Sequence, residues 1–224
     1  MVLDLDDTLL DHRGSTAAAL TAWLPDLGAE VTPALVAAWF TVEDEHFESW
    51  RAGLIGFDEQ RRRRLRDFLP LVGHPVGPDL ELDRAFAGYL ERYEQAWRPF
   101  DDVRPAVDAL LARGLVLAVL TNGTTAQQTA KVAAIGLQDA VAVVVTSEQL
   151  GAAKPAPEAY LATCRRIGVA PSAAVHVGDR HDLDVVAARA AGLRAFHLDR
   201  HGTGVEPPPG RVTTLAELPA RLGG

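Results

Sequence analysis

Two textures of apolar and polar positions divide this chain. Val2 to Leu5 reads as a short buried strand that runs straight into a turn dense with acids, Asp4, Asp6 and Asp7, followed by Thr8. From Ser15 the spacing becomes helical. Leu20, Trp23, Leu24 and Leu27 form a first stripe, after which Thr32 predicts an N-cap with Pro33 in the first helical position, a helix continuing towards Trp50, and Gly53 as its stop. A third helix is predicted from near Asp58 through the basic run Arg61 to Arg64 towards Leu69. A fourth carries Leu82, Phe86, Tyr89, Leu90, Tyr93 and Trp97 at three- and four-residue spacing. Residues 14–98 therefore read as one all-helical block.

Beyond Arg104 helical stripes and apolar runs alternate. Pro105 to Arg113, ended by Gly114, precedes Leu115 to Leu120; a helix towards Ile135 precedes Val141 to Val145. A helix from Pro157 towards Ile167 precedes Ala173 to Val177, and one through Ala191 precedes Arg194 to Leu198. This alternation predicts an α/β fold with a doubly wound parallel sheet, whose ligands bind beyond the carboxyl ends of the strands. Pro207, Pro208 and Pro209 with Gly210 predict a stiff surface loop before a last short helix over Leu215 to Leu222.

Composition narrows the classes. The 224 residues are 48% hydrophobic and 23% charged, the make-up of a folded globular chain. A net charge of -8 and a pI near 5.3 argue against nucleic acid or an acidic membrane surface as the main partner, while leaving small phosphorylated substrates open. Cys164 is the single cysteine, which excludes a disulfide framework or a thiolate zinc cluster and fits a reducing compartment. Without a basic leader or an apolar run of about 20 residues, a cytoplasmic location is expected.

The chemistry sits in four polar clusters, each after an apolar run. They are Asp4 with Asp6, Thr121 with Asn122, Lys154, and Asp179 with Asp184. Any one alone reads as turn or surface, since Asp and Asn are common at strand ends and Lys is usually solvated. Four in order at one predicted edge share out the tasks of phosphoryl transfer, which needs positioning, charge neutralisation and proton management. Asp4 and Asp6, two apart at a turn, can reach the same ligand, one as nucleophile and the other as acid/base. Asp4 and Asp179 with backbone oxygen from Asp6 form a hard-ligand set suited to magnesium. Thr121 and Lys154 donate to phosphoryl oxygens, and Lys154 also keeps Asp4 charged. Asn122 joins them as a candidate substrate contact.

Through DLDDT at Asp4 to Thr8, LTNG at Thr121, KP at Lys154 and GDRHDLD from Gly178, the chain resembles the haloacid dehalogenase superfamily of hydrolases. The resemblance covers nearly the whole chain. It implies a Rossmann-like catalytic core of residues 1–13 and 99–224 with an inserted helical cap over residues 14–98. It further implies Asp4 as nucleophile, Asp6 as general acid/base, Thr121 and Lys154 as phosphate ligands and Asp179 as metal ligand, with Asp184 supporting the metal or Lys154. Two departures stand out. Only Met1 to Leu3 precede the nucleophile where relatives carry several more apolar residues, so a shortened start is expected; Asp7 replaces a glycine frequent in relatives and is expected to be neutral.

The expected activity is magnesium-dependent hydrolysis of a small phosphorylated metabolite through a phospho-aspartate, by a monomer or homodimer. A dehalogenase resembles this chain but replaces the second aspartate of the first motif, because no leaving oxygen needs a proton. A phosphomutase shares all four motifs, and a non-catalytic binding protein on a decayed fold would have lost Asp4, Lys154 or Asp179. The helical block is expected to be a mobile lid hinged near residues 11–15 and 97–102 that selects the substrate. Within it His46, Trp50, Arg51 and the run Arg61 to Arg64 are candidate contacts, with the core as the alternative for Trp50 and a solvated helix face for the run; His12 and His181 lie near the catalytic loops.

Overall fold

A computed structural model describes residues 1–207 and 209–222, so Pro208 of the proline loop lies outside the described residues. The chain divides into two compact units: Met1–His12 together with the described residues from Arg98 onward, and Arg13–Trp97.

The second unit is helical, built from α1 (His12–Trp23), α2 (Pro33–Arg51), α3 (Phe57–Phe68) and α4 (Asp79–Gln95). Thr32 caps α2 by accepting a 3.2 Å bond from the Leu35 amide, with Pro33 at the first position, where the missing N–H costs nothing. The apolar stripes meet in a ring-rich core of Trp23, Trp39, Phe68, Phe86 and Tyr89. Trp39 is fully buried and lies 4.9 Å from Phe68, edge to face, and 4.4 Å from Tyr89. The basic run joins helices: Arg62 makes two bonds to Asp83 on α4 (2.7 and 2.8 Å), and Arg64 reaches Glu43 on α2 (2.8 Å). Arg61 lies over the Phe57 ring at 4.4 Å. Trp50 packs between Phe47 and Phe57, Arg51 pairs with Glu48, and buried His46 bonds Asp67 at 2.6 Å.

The other unit carries β1 (Val2–Leu3), α5 (Val103–Ala112), β2 (Ala118–Thr121), α6 (Thr125–Ala134), β3 (Val143–Thr146), α7 (Ser147–Leu150), α8 (Pro157–Arg166), β4 (Val175–Gly178), α9 (Ala187–Ala190), β5 (Arg194–Leu198), β6 (Arg211–Val212) and α10 (Leu218–Arg221). The strands form one parallel sheet in the order β3-β2-β1-β4-β5-β6. Val2, Leu120 and Val145 pack with Tyr160, Cys164 and Val185 in its core. The short central strand β1 pairs with β2 on one side and β4 on the other, the place where the strand order reverses and a crevice opens beyond the carboxyl ends.

Of the departures from the sequence pattern, three bear on the course of the chain. The first strand stops at Leu3 rather than Leu5, because the Leu5 carbonyl turns to accept the amides of Thr8, Leu9 and Leu10. Between β4 and α9 the chain takes a wide π-helical course over His181–Val186 in place of a regular helix start. Strand β6 has no counterpart in the sequence pattern. Two residues carry no readable period, and β6 exists through bonds from the His197 and Asp199 amides to Gly210 and Val212.

Trp39→Ala should cost the helical unit about 4 kcal/mol of unfolding free energy, the range for removing a large buried ring, whereas the exposed Leu54→Ala should stay within about 0.5 kcal/mol of the parent. Urea unfolding followed by far-UV circular dichroism reads both; equal effects would place Trp39 outside the core.

Candidate active site

The turn after β1 presents the first cluster. Its backbone closes on the Leu5 carbonyl, with Asp7 at φ 56°, a left-handed conformation that asparagine and aspartate tolerate better than most side chains. From outside, the Arg200 guanidinium holds this turn by donating to the Thr8 carbonyl at 2.8 Å while pairing with Asp102 through two 3.0 Å bonds. Asp4 is thereby fixed at the sheet edge, 7% exposed, its own amide bonded to the Val177 carbonyl of β4.

Lys154 is the centre of the cluster. Its ammonium lies 2.6 Å from Asp4 Oδ1 and 2.6 Å from Asp184 Oδ1, and the residue is 2% exposed. Asn122, at the end of β2, sets the lysine by a reciprocal pair: its Nδ2 donates to the Lys154 carbonyl (3.0 Å) and its Oδ1 accepts from the Lys154 amide (2.8 Å). The Asn122 amide is thus spent at both ends on the Lys154 backbone rather than turned to a ligand. Asp184 also accepts from His176 Nε2 (3.0 Å) and from the Arg180 amide (3.0 Å). Gly178 leaves the room this requires, since a β-carbon there would meet Asp184 Cβ at 2.6 Å.

These contacts separate the carboxylates. Burial favours the neutral form of each. For Asp184 the charge of Lys154 and the His176 bond win, and its pKa lies below the usual carboxylate range. For Asp4 burial wins, aided by repulsion from Asp184 and Asp6, and its pKa is pushed up to about 7 despite Lys154. Asp179, raised by burial and then by Asp4 and Asp184, lies well above the ordinary value; its carbonyl is held by His197 Nε2 at 2.9 Å. The carboxylate oxygens of Asp4, Asp179 and Asp184 come within 4.8 Å of one another, a hard-donor set with more negative charge than one lysine balances. The chemistry of this donor set fits a divalent cation.

Asp6 looks elsewhere. Its Oδ1 and Oδ2 accept from Lys131 Nζ at 2.7 and 2.9 Å, and Oδ2 also accepts from Gln128 Nε2 at 3.2 Å. Burial opposes its ionisation, but the charges of Lys131 and His12 and these bonds hold it below the carboxylate range. Gln128 Nε2 also reaches Thr121 Oγ1 at 2.5 Å. Sequence reasoning passed over both residues, because a glutamine and a lysine on a helix read as a solvated face; in the structure they are 2% and 4% exposed.

Comparison with known proteins gives the family. The family model of haloacid dehalogenase-like hydrolases matches residues 1–192. A phosphoserine phosphatase of Thermus thermophilus is 30% identical over 89% of this chain and 88% of its own length. A glyceraldehyde 3-phosphate phosphatase of Methanopyrus kandleri is 36% identical over 64% of this chain and 67% of its own. Among solved structures, a HAD-hydrolase of Bacillus subtilis superposes with a TM-score of 0.82 at 23% identity, covering 100% of this chain and 97% of that one, and shares the fold. A 2-haloacid dehalogenase of Pseudomonas syringae is 32% identical with a TM-score of 0.66 over 99% of this chain and 96% of its own. The chain belongs to the haloacid dehalogenase-like hydrolase family.

Proposed function

We propose that this hydrolase is a magnesium-dependent phosphatase of small phosphorylated metabolites, with Asp4 as nucleophile and Asp6 as general acid/base. The observation that carries the reading is the second carboxylate, Asp6, two residues beyond Asp4 and held apart from the Asp4, Asp179 and Asp184 cluster by its own cation. A dehalogenase has no leaving oxygen to protonate and no use for it. The phosphatase relatives point the same way.

In the proposed cycle an Asp4 oxygen attacks phosphorus while the bond to the leaving oxygen breaks with its electron pair. Asp6 in its acid form gives that oxygen a proton, producing the alcohol, a phospho-Asp4 and the Asp6 carboxylate. A dianionic phosphate beside Asp6 raises its proton affinity, which favours the acid form when substrate is bound. In the second half Asp6 takes a proton from water as the water oxygen attacks phosphorus, and the electron pair of the P–O bond returns to Asp4. The proton gained there serves the next leaving group. Lys154 and the Thr121 hydroxyl meet the charge on the phosphoryl oxygens, while Asn122 acts through its grip on the Lys154 backbone. Asp4, Asp179 and the backbone oxygen of Asp6 would hold magnesium, with Asp184 beside them. When bound, it shields the anionic nucleophile from the anionic phosphate.

Asp4→Asn should reduce turnover of an aryl phosphate by on the order of 10³ or more, as loss of a nucleophile does. Acid quenching of the parent during turnover, followed by borohydride reduction, should convert Asp4 to homoserine, detected by peptide mass spectrometry. Retained turnover in Asp4→Asn, or a modified residue elsewhere, overturns the assignment.

The raised pKa of Asp4 gives a second outcome. With a folded value of about 7 against 3.8 unfolded, the native state holds more protons between these values, so metal-free stability falls as pH rises through this window. Magnesium offsets the same crowded charge and competes with the proton. Its addition should raise Tm more at pH 8 than at pH 6, with the gain lost in Asp179→Asn; a gain independent of pH and of Asp179 refutes the site.

A further inference from the structure

Two buried polar side chains of α6 have no part in the chemistry above. Gln128 and Lys131 stand three residues apart, hence on one face of the helix, and that face meets the Asp6 turn and the end of β2. Both are nearly sealed from water, although burying a lysine and a glutamine is costly unless each polar group is matched. The backbone makes room for one of them: a β-carbon on Gly123 would lie 2.9 Å from Cγ and Cδ of Gln128, so the amide folds back over a glycine at φ 152°.

The direction of each bond matters. An ionised carboxylate offers about four lone-pair sites. Lys131 takes one on each Asp6 oxygen and Gln128 takes the second on Oδ2, so three donors fix the carboxylate and, by this count, Oδ1 keeps a site that these helix donors do not take. On Thr121, Gln128 donates to Oγ1. A hydroxyl that accepts from an amide keeps its single hydrogen for another acceptor.

We propose that Lys131 and Gln128 are positioning residues for the two halves of phosphoryl transfer. Lys131 sets the Asp6 carboxylate so that Oδ1 is the oxygen that exchanges the proton, and Gln128 turns the Thr121 hydroxyl so that its hydrogen points to the phosphoryl group. Gln128 joins the halves, since one NH₂ group touches both Asp6 and Thr121. This rests on the reading of Asp6 as the acid/base.

The test is a double-mutant cycle on the full chain with magnesium, comparing an alkyl phosphate with an activated aryl phosphate. Lys131→Met should lower kcat on the alkyl phosphate by about tenfold or more, a fraction of what general acid catalysis supplies, with a smaller loss on the aryl phosphate and little change in KM. Lys131→Arg, which keeps two donors, should recover part of that loss. In an Asp6→Asn background Lys131→Met should cost little further, because residues acting through one group are not additive. Gln128→Leu should instead raise KM and weaken inhibition by inorganic phosphate. Where Lys131→Met does not fold by circular dichroism, Lys131→Gln replaces it and must show the same dependence on Asp6. Equal losses on both substrates, or a loss as large without Asp6 as with it, overturns the proposal even while Asp4 still forms a phosphoenzyme. Absence of the phosphoenzyme overturns the reading beneath it instead.

Discussion

Lys154 places one ammonium 2.6 Å from each of two buried carboxylates, Asp4 and Asp184, where water cannot share the load. A buried charge of this kind is costly unless matched, and removing one partner typically costs about 3 to 5 kcal/mol. The surroundings are arranged around that requirement. Asn122 grips the lysine backbone from β2, His176 and the Arg180 amide satisfy the remaining reach of Asp184, and Gly178 gives up its side chain to let Asp184 in. One lysine is still too little for three neighbouring aspartates. Asp184, closest to other donors, stays ionised, while Asp4 and Asp179 are pushed towards protonation, and a divalent cation beside them would let all three ionise together.

Sheet order explains why these groups meet. The chain passes from β1 to β2 and β3 on one side and returns to β4 on the other, so the turns after β1, β2 and β4 lie around one crevice. Parallel strands all point the same way, which sends every strand end, and its polar turn, to the same edge. Arg200 holds the first of these turns from behind by its bond to the Thr8 carbonyl. A turn that includes a left-handed aspartate, Asp7, has reason to be held from more than one direction.

The site uses two lysines for two different carboxylates. Lys154 bonds the proposed nucleophile and Lys131 the proposed acid/base. Keeping the two carboxylates on separate cations allows one to stay a ligand and nucleophile while the other changes protonation, the division of labour on which general acid catalysis depends. The relatives of this chain include a dehalogenase as well as phosphatases, and in the reading proposed above Asp6 with its own cation separates the two chemistries.

By itself the sequence determined the alternation of helices and strands, the helical character of residues 14–98, the Thr32 and Pro33 start of α2, and the ordered run of Asp4, Thr121, Lys154 and Asp179. All of these are written in periods or in neighbours a few residues apart, where the chain's own geometry leaves few choices. Tertiary structure alone decided that Asn122 serves Lys154, that Arg62 and Arg64 tie α3 to α4 and to α2, that β6 forms, and that Lys131 and Gln128 belong to the site. Lys131 meets Asp6 across 125 residues of sequence. A hydrophobic period records that a face is buried and leaves out the polar residues buried with it, because a lysine enters the interior only where the closed fold supplies its carboxylate.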